Sequence, residues 1–164
     1  MCYYLTLSFK KDFEDLVKSG FTEKILLREN KNAFFNEMFG RDFVSLDITD
    51  GHCSCSIYQI LMADNSENET QQLQKKYRKK GWSESKIERA IADNQQTKNK
   101  DLINLREILA NIAKQTGSLW LFAHQYSGLI ANEHLENINH QELKIAELLD
   151  NKIEVPEDVI VKIK

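Results

Sequence analysis

The chain has 164 residues, a formal net charge of −3 and 41% hydrophobic residues. That is about one domain's length, with enough apolar material for a core, which excludes a disordered chain. Mild acidity disfavours a general nucleic-acid binder, and apolar runs far shorter than a membrane span leave no membrane partner.

Cys2 to Phe9 alternates as a strand, with Tyr3, Leu5, Leu7 and Phe9 on its apolar face and Cys2, Tyr4, Thr6 and Ser8 on the other. Asp12 to Ser19 reads as a helix that Gly20 stops. Glu23 to Arg28 is expected as a short strand and Ala33 to Phe39 as a short helix before Gly40. Val44 to Ile57 reads as a β-hairpin about a two-residue Asp50-Gly51 turn. In that register Ile48 faces Cys53 and Leu46 faces Cys55. One face collects Val44, Leu46, Ile48, Cys53, Cys55 and Ile57, and the other collects Ser45, Asp47, Thr49, His52, Ser54 and Ser56.

A polar helical block follows at about 65–116, in three pieces. The first, Glu67 to Lys80, has only Leu73 and Tyr77 as an apolar stripe. The second starts after Gly81, with Ser83 as N-cap and Trp82 spaced to pack on Ile87. The third, Lys100 to Lys114, carries Leu102, Leu105, Leu109 and Ile112 on one face, widened by Ile108. Leu119 to Tyr126 then reads as a central strand with apolar residues on both faces. Leu129 to Leu135 is expected to pair back on it after Ser127-Gly128. Gln141 to Leu149 reads as a last helix and Val159 to Ile163 as a final strand at a sheet edge. Strands, a helical block and strands again predict an α+β fold, mainly antiparallel and built from hairpins, with three helices between central strands. A single proline and no composition break predict one domain over 1–164.

Four places draw chemical attention. Cys53 and Cys55, two apart beside His52, invite a zinc or redox reading. On the apolar hairpin face they read instead as small buried hydrophobes, with His52 on the opposite face. His124 completes a ligand set only if its strand lies beside them. Asp47, His52 and Ser54 share the polar hairpin face and have the residue types of a hydrolase triad. No elbow exposes the serine, and no oxyanion hole is evident. Lys75, Lys76, Arg78, Lys79 and Lys80, with Tyr77 among them and Trp82 following, suit a phosphate backbone, and Gly81 resembles a helix-turn-helix joint. Glu84 and Glu88 oppose that use, and cations at a helix end are favoured by its dipole alone. Last, the first helix has too little apolar surface to be held by burial, as in a projection or an interaction surface.

P-loop, Rossmann, zinc-finger, HExxH and GxSxG patterns are absent, and the chain has six glycines, too few for a glycine-built phosphate cradle. No cofactor is expected. An odd count of three cysteines, and a Met1 to Phe9 segment without signal-peptide features, predict a soluble cytoplasmic protein. The expected function is a non-catalytic binding module, acting on another protein or by self-association, as adaptors and immunity-type regulators do. The alternatives are nucleic-acid binding through Lys75 to Lys80, and a zinc or redox protein using Cys53 and Cys55.

Overall fold

The computed structural model describes residues 2–21, 25–61, 66–127, 129–149 and 155–164, without the side chains of 59–61, 66–69, 98–99 and 101–103. In chain order the elements are β1 (Cys2–Lys10), α1 (Glu14–Gly20), β2 (Leu26–Glu29), α2 (Ala33–Phe39), β3 (Phe43–Thr49) and α3 (Cys55–Leu61). Then come α4 (Ser66–Lys79), α5 (Glu84–Thr116), β4 (Leu119–Tyr126), β5 (Asn139–Leu143), α6 (Ile145–Leu149) and β6 (Val159–Ile163). Short 3-10 turns lie at Lys11–Phe13 and Ile130–Asn132.

The strands form one six-stranded sheet in the order β2-β3-β1-β4-β6-β5. Every neighbouring pair is antiparallel except β5 and β6, which run parallel. The fold is α+β, as the sequence predicts.

β1 is the hub. Leu5 meets Ile48 of β3 on one side and Ala123 of β4 on the other, and Leu7 meets Leu46 and Leu121. Alternation carries these residues to one face. There Val17 of α1, Ile57 and Tyr58 of α3, Leu105, Leu109 and Ile112 of α5 and Leu148 of α6 close the main core. The opposite face carries Phe122, Tyr126 and Ile160, covered by Phe35 and Phe39 of α2 and by Leu135. Asn32 supplies the α2 N-cap: its side-chain oxygen accepts from the Phe35 N–H at 2.8 Å.

The sheet is not built from tight hairpins. Both edges of β3 are occupied, by β1 and β2, so 52–57 has no place to pair back on it. The chain still turns at Asp50 and Gly51 (φ 135°), but it turns into α3. Ser45, Asp47 and Thr49, expected on a solvated face, are buried with Leu46 and Ile48, because the sheet is covered on both sides. For the same reason Leu129 to Leu135 does not pair with β4, whose edges belong to β1 and β6. Of the expected last helix, Gln141 to Leu143 is strand and only Ile145–Leu149 is helical. β6 is internal, between β4 and β5. The expected β2 begins at Leu26, and residues 22–24 lie outside the described residues.

The helical block has two helices rather than three. α5 runs 33 residues without a break, about 50 Å at 1.5 Å per residue. The polar stretch through Asn94 to Gln96 marks exposure rather than an interruption, since no proline or glycine falls inside the helix. Leu105, Leu109 and Ile112 pack on the sheet as their spacing predicts, and Leu102 lies outside the described side chains. The other half of α5 pairs with α4. Ile87 and Ile91 are buried there, outside both sheet cores among the described residues. Ser83 stands at the α5 N-cap with extended backbone, yet its hydroxyl makes no cap bond and meets the Ser85 hydroxyl at 3.4 Å. Trp82 stacks on Tyr77, and Ile87, its expected staple partner, is fully buried.

Candidate functional site

The first cluster is assembled where β1 outruns β3. Their pairing begins at Leu5 and Ile48, so Tyr3 has no β3 partner, and the chain after β3 fills the gap. Ser54 N–H donates to the Tyr3 carbonyl at 2.9 Å. Leu5 N–H donates to Ser54 Oγ at 2.7 Å, and that hydroxyl donates to the Ile48 carbonyl at 2.5 Å. Fully buried, Ser54 extends the ladder by one station and fixes the residues on either side of it.

Those flanking residues are Cys53 and Cys55. Neither is a strand residue, so the face rule that set them apart from Cys2 does not apply. The Sγ atoms of Cys2, Cys53 and Cys55 all lie within 4.8 Å of one another. Cys2 is exposed and the other two are half-buried, so the pair are not the core cysteines that the hairpin implied. Tyr3 N–H donates to Cys55 Sγ at 3.2 Å. Hydrogen bonds from the Cys55 backbone and thiol pull the Cys53 thiol below its ordinary range, whereas burial pushes Cys55 up. Tyr3 and Tyr58 stack beside the cluster at 4.4 Å.

His124 does not join the cysteines. Its Nδ1 lies 2.5 Å from Asp158 Oδ1 and its Nε2 lies 3.3 Å from Glu133 Oε1. Its ring packs between Phe122 and Tyr126. Glu133 also accepts from the Ser127 N–H at 3.0 Å, and Glu157 accepts from the Tyr3 hydroxyl at 3.1 Å. His124, Asp158 and Glu157 come within 4.8 Å of one another. With a carboxylate on each ring nitrogen, His124 serves as a tie between β4, the segment before β5 and the start of β6. The sequence carried no spacing signal for this group.

The triad reading fails on geometry. Asp47 Oδ1 accepts from Thr6 Oγ1 at 2.8 Å and from Asn30 Nδ2 at 2.7 Å, deep beneath the second face of the sheet. Burial raises its carboxyl above the ordinary range, against the lowering effect of those two bonds. Ser54 is committed to backbone partners. His52 is exposed, and its carbonyl accepts from the Tyr4 hydroxyl at 3.4 Å. No hydroxyl here is both free and beside a base.

The basic cluster sits at the tip of the α4–α5 hairpin. Gln72, Lys75, Lys76, Lys79 and Lys80 line one shallow groove, a single helix face at i, i+3, i+4, i+7 and i+8. Arg78 is taken up in a bidentate pair with Glu84, at 2.9 and 3.1 Å. The Tyr77 and Trp82 rings lie 4.5 Å apart with planes within 3°, and Lys86 Nζ sits 4.2 Å over the Trp82 ring. The lysines are therefore left to solvent, while the arginine and both aromatics hold the turn together. No helix among the described residues is long and apolar enough to cross a membrane. Comparison with protein-family models, curated proteins and solved structures gave no match to this chain.

Proposed function

We propose that the protein acts by binding, using the α4–α5 hairpin as a recognition arm for an acidic surface on another protein. The observation that carries this reading is the row of four lysines along α4 and the turn that follows it, on an arm where Ile87 and Ile91 are buried outside both sheet cores among the described residues. Between residues 75 and 89 there are seven cations against two carboxylates, on a chain with a formal net charge of −3. Such a local excess steers an anionic partner to the tip and away from the rest of the molecule. The spacing of the lysines along one helix face suits carboxylates repeated at helical spacing on the partner.

A nucleic-acid backbone is the alternative anion. Bound arginine forks and open aromatic faces would favour it. Here Arg78 is engaged by Glu84, and the Tyr77 and Trp82 rings cover one another. That arrangement favours point-charge contacts to carboxylates.

The test is chemical cross-linking of the wild-type chain and of a Lys75→Gln, Lys76→Gln, Lys79→Gln, Lys80→Gln variant in cells that express it. The expected result is a protein partner cross-linked at α4, lost in the variant and weakened by added salt. A partner held equally by the variant, or cross-linked only through the sheet, would overturn the reading. Low-salt gel shifts with single- and double-stranded nucleic acid complete the test. Tight binding there that the variant loses would transfer the arm to nucleic acid.

A further inference from the structure

From the geometry we infer that Cys2, Cys53 and Cys55 form a trithiolate site for a thiophilic closed-shell metal ion, zinc or copper(I). Three observations carry this, none of which depends on the lysine arm. The first is convergence. The three Sγ atoms lie within 4.8 Å of one another, although Cys2 is far from the others in sequence. Tetrahedral zinc with Zn–S bonds of about 2.3 Å places its sulfurs about 3.8 Å apart. The preformed triangle needs at most about 1 Å of contraction at any edge, within reach of side-chain rotation.

The second is that the site is built on a rigid support. Ser54, between the two loop cysteines, is fully buried and bonded to three strand residues, Tyr3, Leu5 and Ile48. Both loop thiols are thus fixed against the start of β1, where Cys2 stands. Ligands on an anchored ladder station lose little freedom on binding a metal. The third is the environment of the sulfurs. The Tyr3 backbone N–H points at Cys55 Sγ at 3.2 Å. Donors to sulfur are the outer-shell feature that stabilises metal-bound thiolates.

Three thiolates satisfy copper(I) in trigonal geometry. Zinc would take a fourth ligand on the solvent side, where Cys2 is exposed. Hard cations such as magnesium and calcium are excluded by the absence of oxygen among the three ligands.

The experiment uses the full untagged chain, reduced and handled without oxygen. It is titrated with zinc against a chromophoric chelator, with copper(I) against a copper(I) chelator, and with cobalt(II) as a spectroscopic stand-in for zinc. The expected result is one ion per chain and a cobalt–thiolate charge-transfer band. All three cysteines should be protected from alkylation when loaded. Cys2→Ser and Cys53→Ser should each weaken binding at least tenfold while leaving the circular dichroism spectrum unchanged. Preference between zinc and copper(I) comes from the two competitions. Failure of both ions to bind the reduced, folded chain would overturn the site. So would a Cys2→Ser variant that binds as tightly as wild type, or a disulfide within the trio in the chain as isolated from its cells.

Discussion

Tyr77 and Trp82 lie face to face across the turn that joins α4 to α5, with ring centroids 4.5 Å apart. The stack bridges Gly81, whose φ of 73° lets the chain reverse there. Together with the Arg78–Glu84 pair it clamps a hairpin that has only a small apolar interior of its own.

Trp82→Ala should therefore loosen the arm without unfolding the sheet. The lost stack is worth about 1 kcal/mol beyond buried area. Hydrogen exchange of α4 and the first half of α5 should quicken several-fold, while β1 and β4 keep their protection. An equal rise in exchange across the sheet would show that arm and sheet open as one unit.

Ser54→Ala should destabilise the whole domain. It strips a buried hydroxyl that serves both the Leu5 N–H and the Ile48 carbonyl, leaving two backbone groups unpaired. The expected loss is about 2–4 kcal/mol, read from the shift of a urea unfolding midpoint. A loss below about 0.5 kcal/mol would mean that water takes over both bonds.

Asp47 gives a pH-dependent prediction. Burial holds its carboxyl above the ordinary value in the folded state. The folded chain then keeps this proton to higher pH than the unfolded chain. Between the two pKa values the folded state binds more protons, so this group's contribution to stability falls as pH rises. Asp47→Asn removes that slope and keeps an acceptor for Thr6 and Asn30. Its stability relative to wild type should improve from acid to neutral pH. Asp47→Ala also removes the acceptor and should be about 1–3 kcal/mol less stable than Asp47→Asn at any pH. A wild-type and Asn variant that stay parallel across that range would refute the assignment.

Tyr58 extends the same logic to alkali. Burial pushes its phenol up to about 12, from the ordinary 10.0. The unfolded chain releases this proton first, so stability falls as pH rises from 10 toward 12. Tyr58→Phe should flatten the stability curve in that window while leaving neutral-pH stability within about 1 kcal/mol. Urea midpoints at several alkaline pH values measure it.

The sequence showed the elements whose patterning is local. β1, α2 and β4 fall where alternation, capping and flanking glycines place them, and Leu105, Leu109 and Ile112 face the core as their spacing demands. What it could not show is which strand lies beside which. The Asp50-Gly51 signal is real as a turn, but β1 and β2 already flank β3, and pairing is a competition among distant partners. Every error at the site follows from that one. Cys53 and Cys55 face the side of Ile48 only if 52–57 is a strand. Once that segment becomes a loop and a helix start, they meet Cys2 instead. His124 finds Asp158 and Glu133 for the same reason: local pattern located β6 at Val159 to Ile163 but not its place beside β4, and it did not place the segment before β5. The lysines of α4, by contrast, are legible as a face from spacing alone, because a helix needs no partner to set its register.

The position of β1 also governs how the domain comes together in time. Its residues are among the first in the chain, yet Leu5 is not flanked until Ile48 and Ala123 have both arrived. Closing the sheet means bringing together segments separated by the whole helical block. Such non-local pairing slows folding, because chain entropy is lost before contacts compensate. Until β4 docks, β1 and β3 expose an apolar edge of the kind that recruits other chains. Aggregation during refolding should thus be seeded by the β1–β3 pair, and α5, which packs directly before β4, is the element whose early formation shortens that exposure.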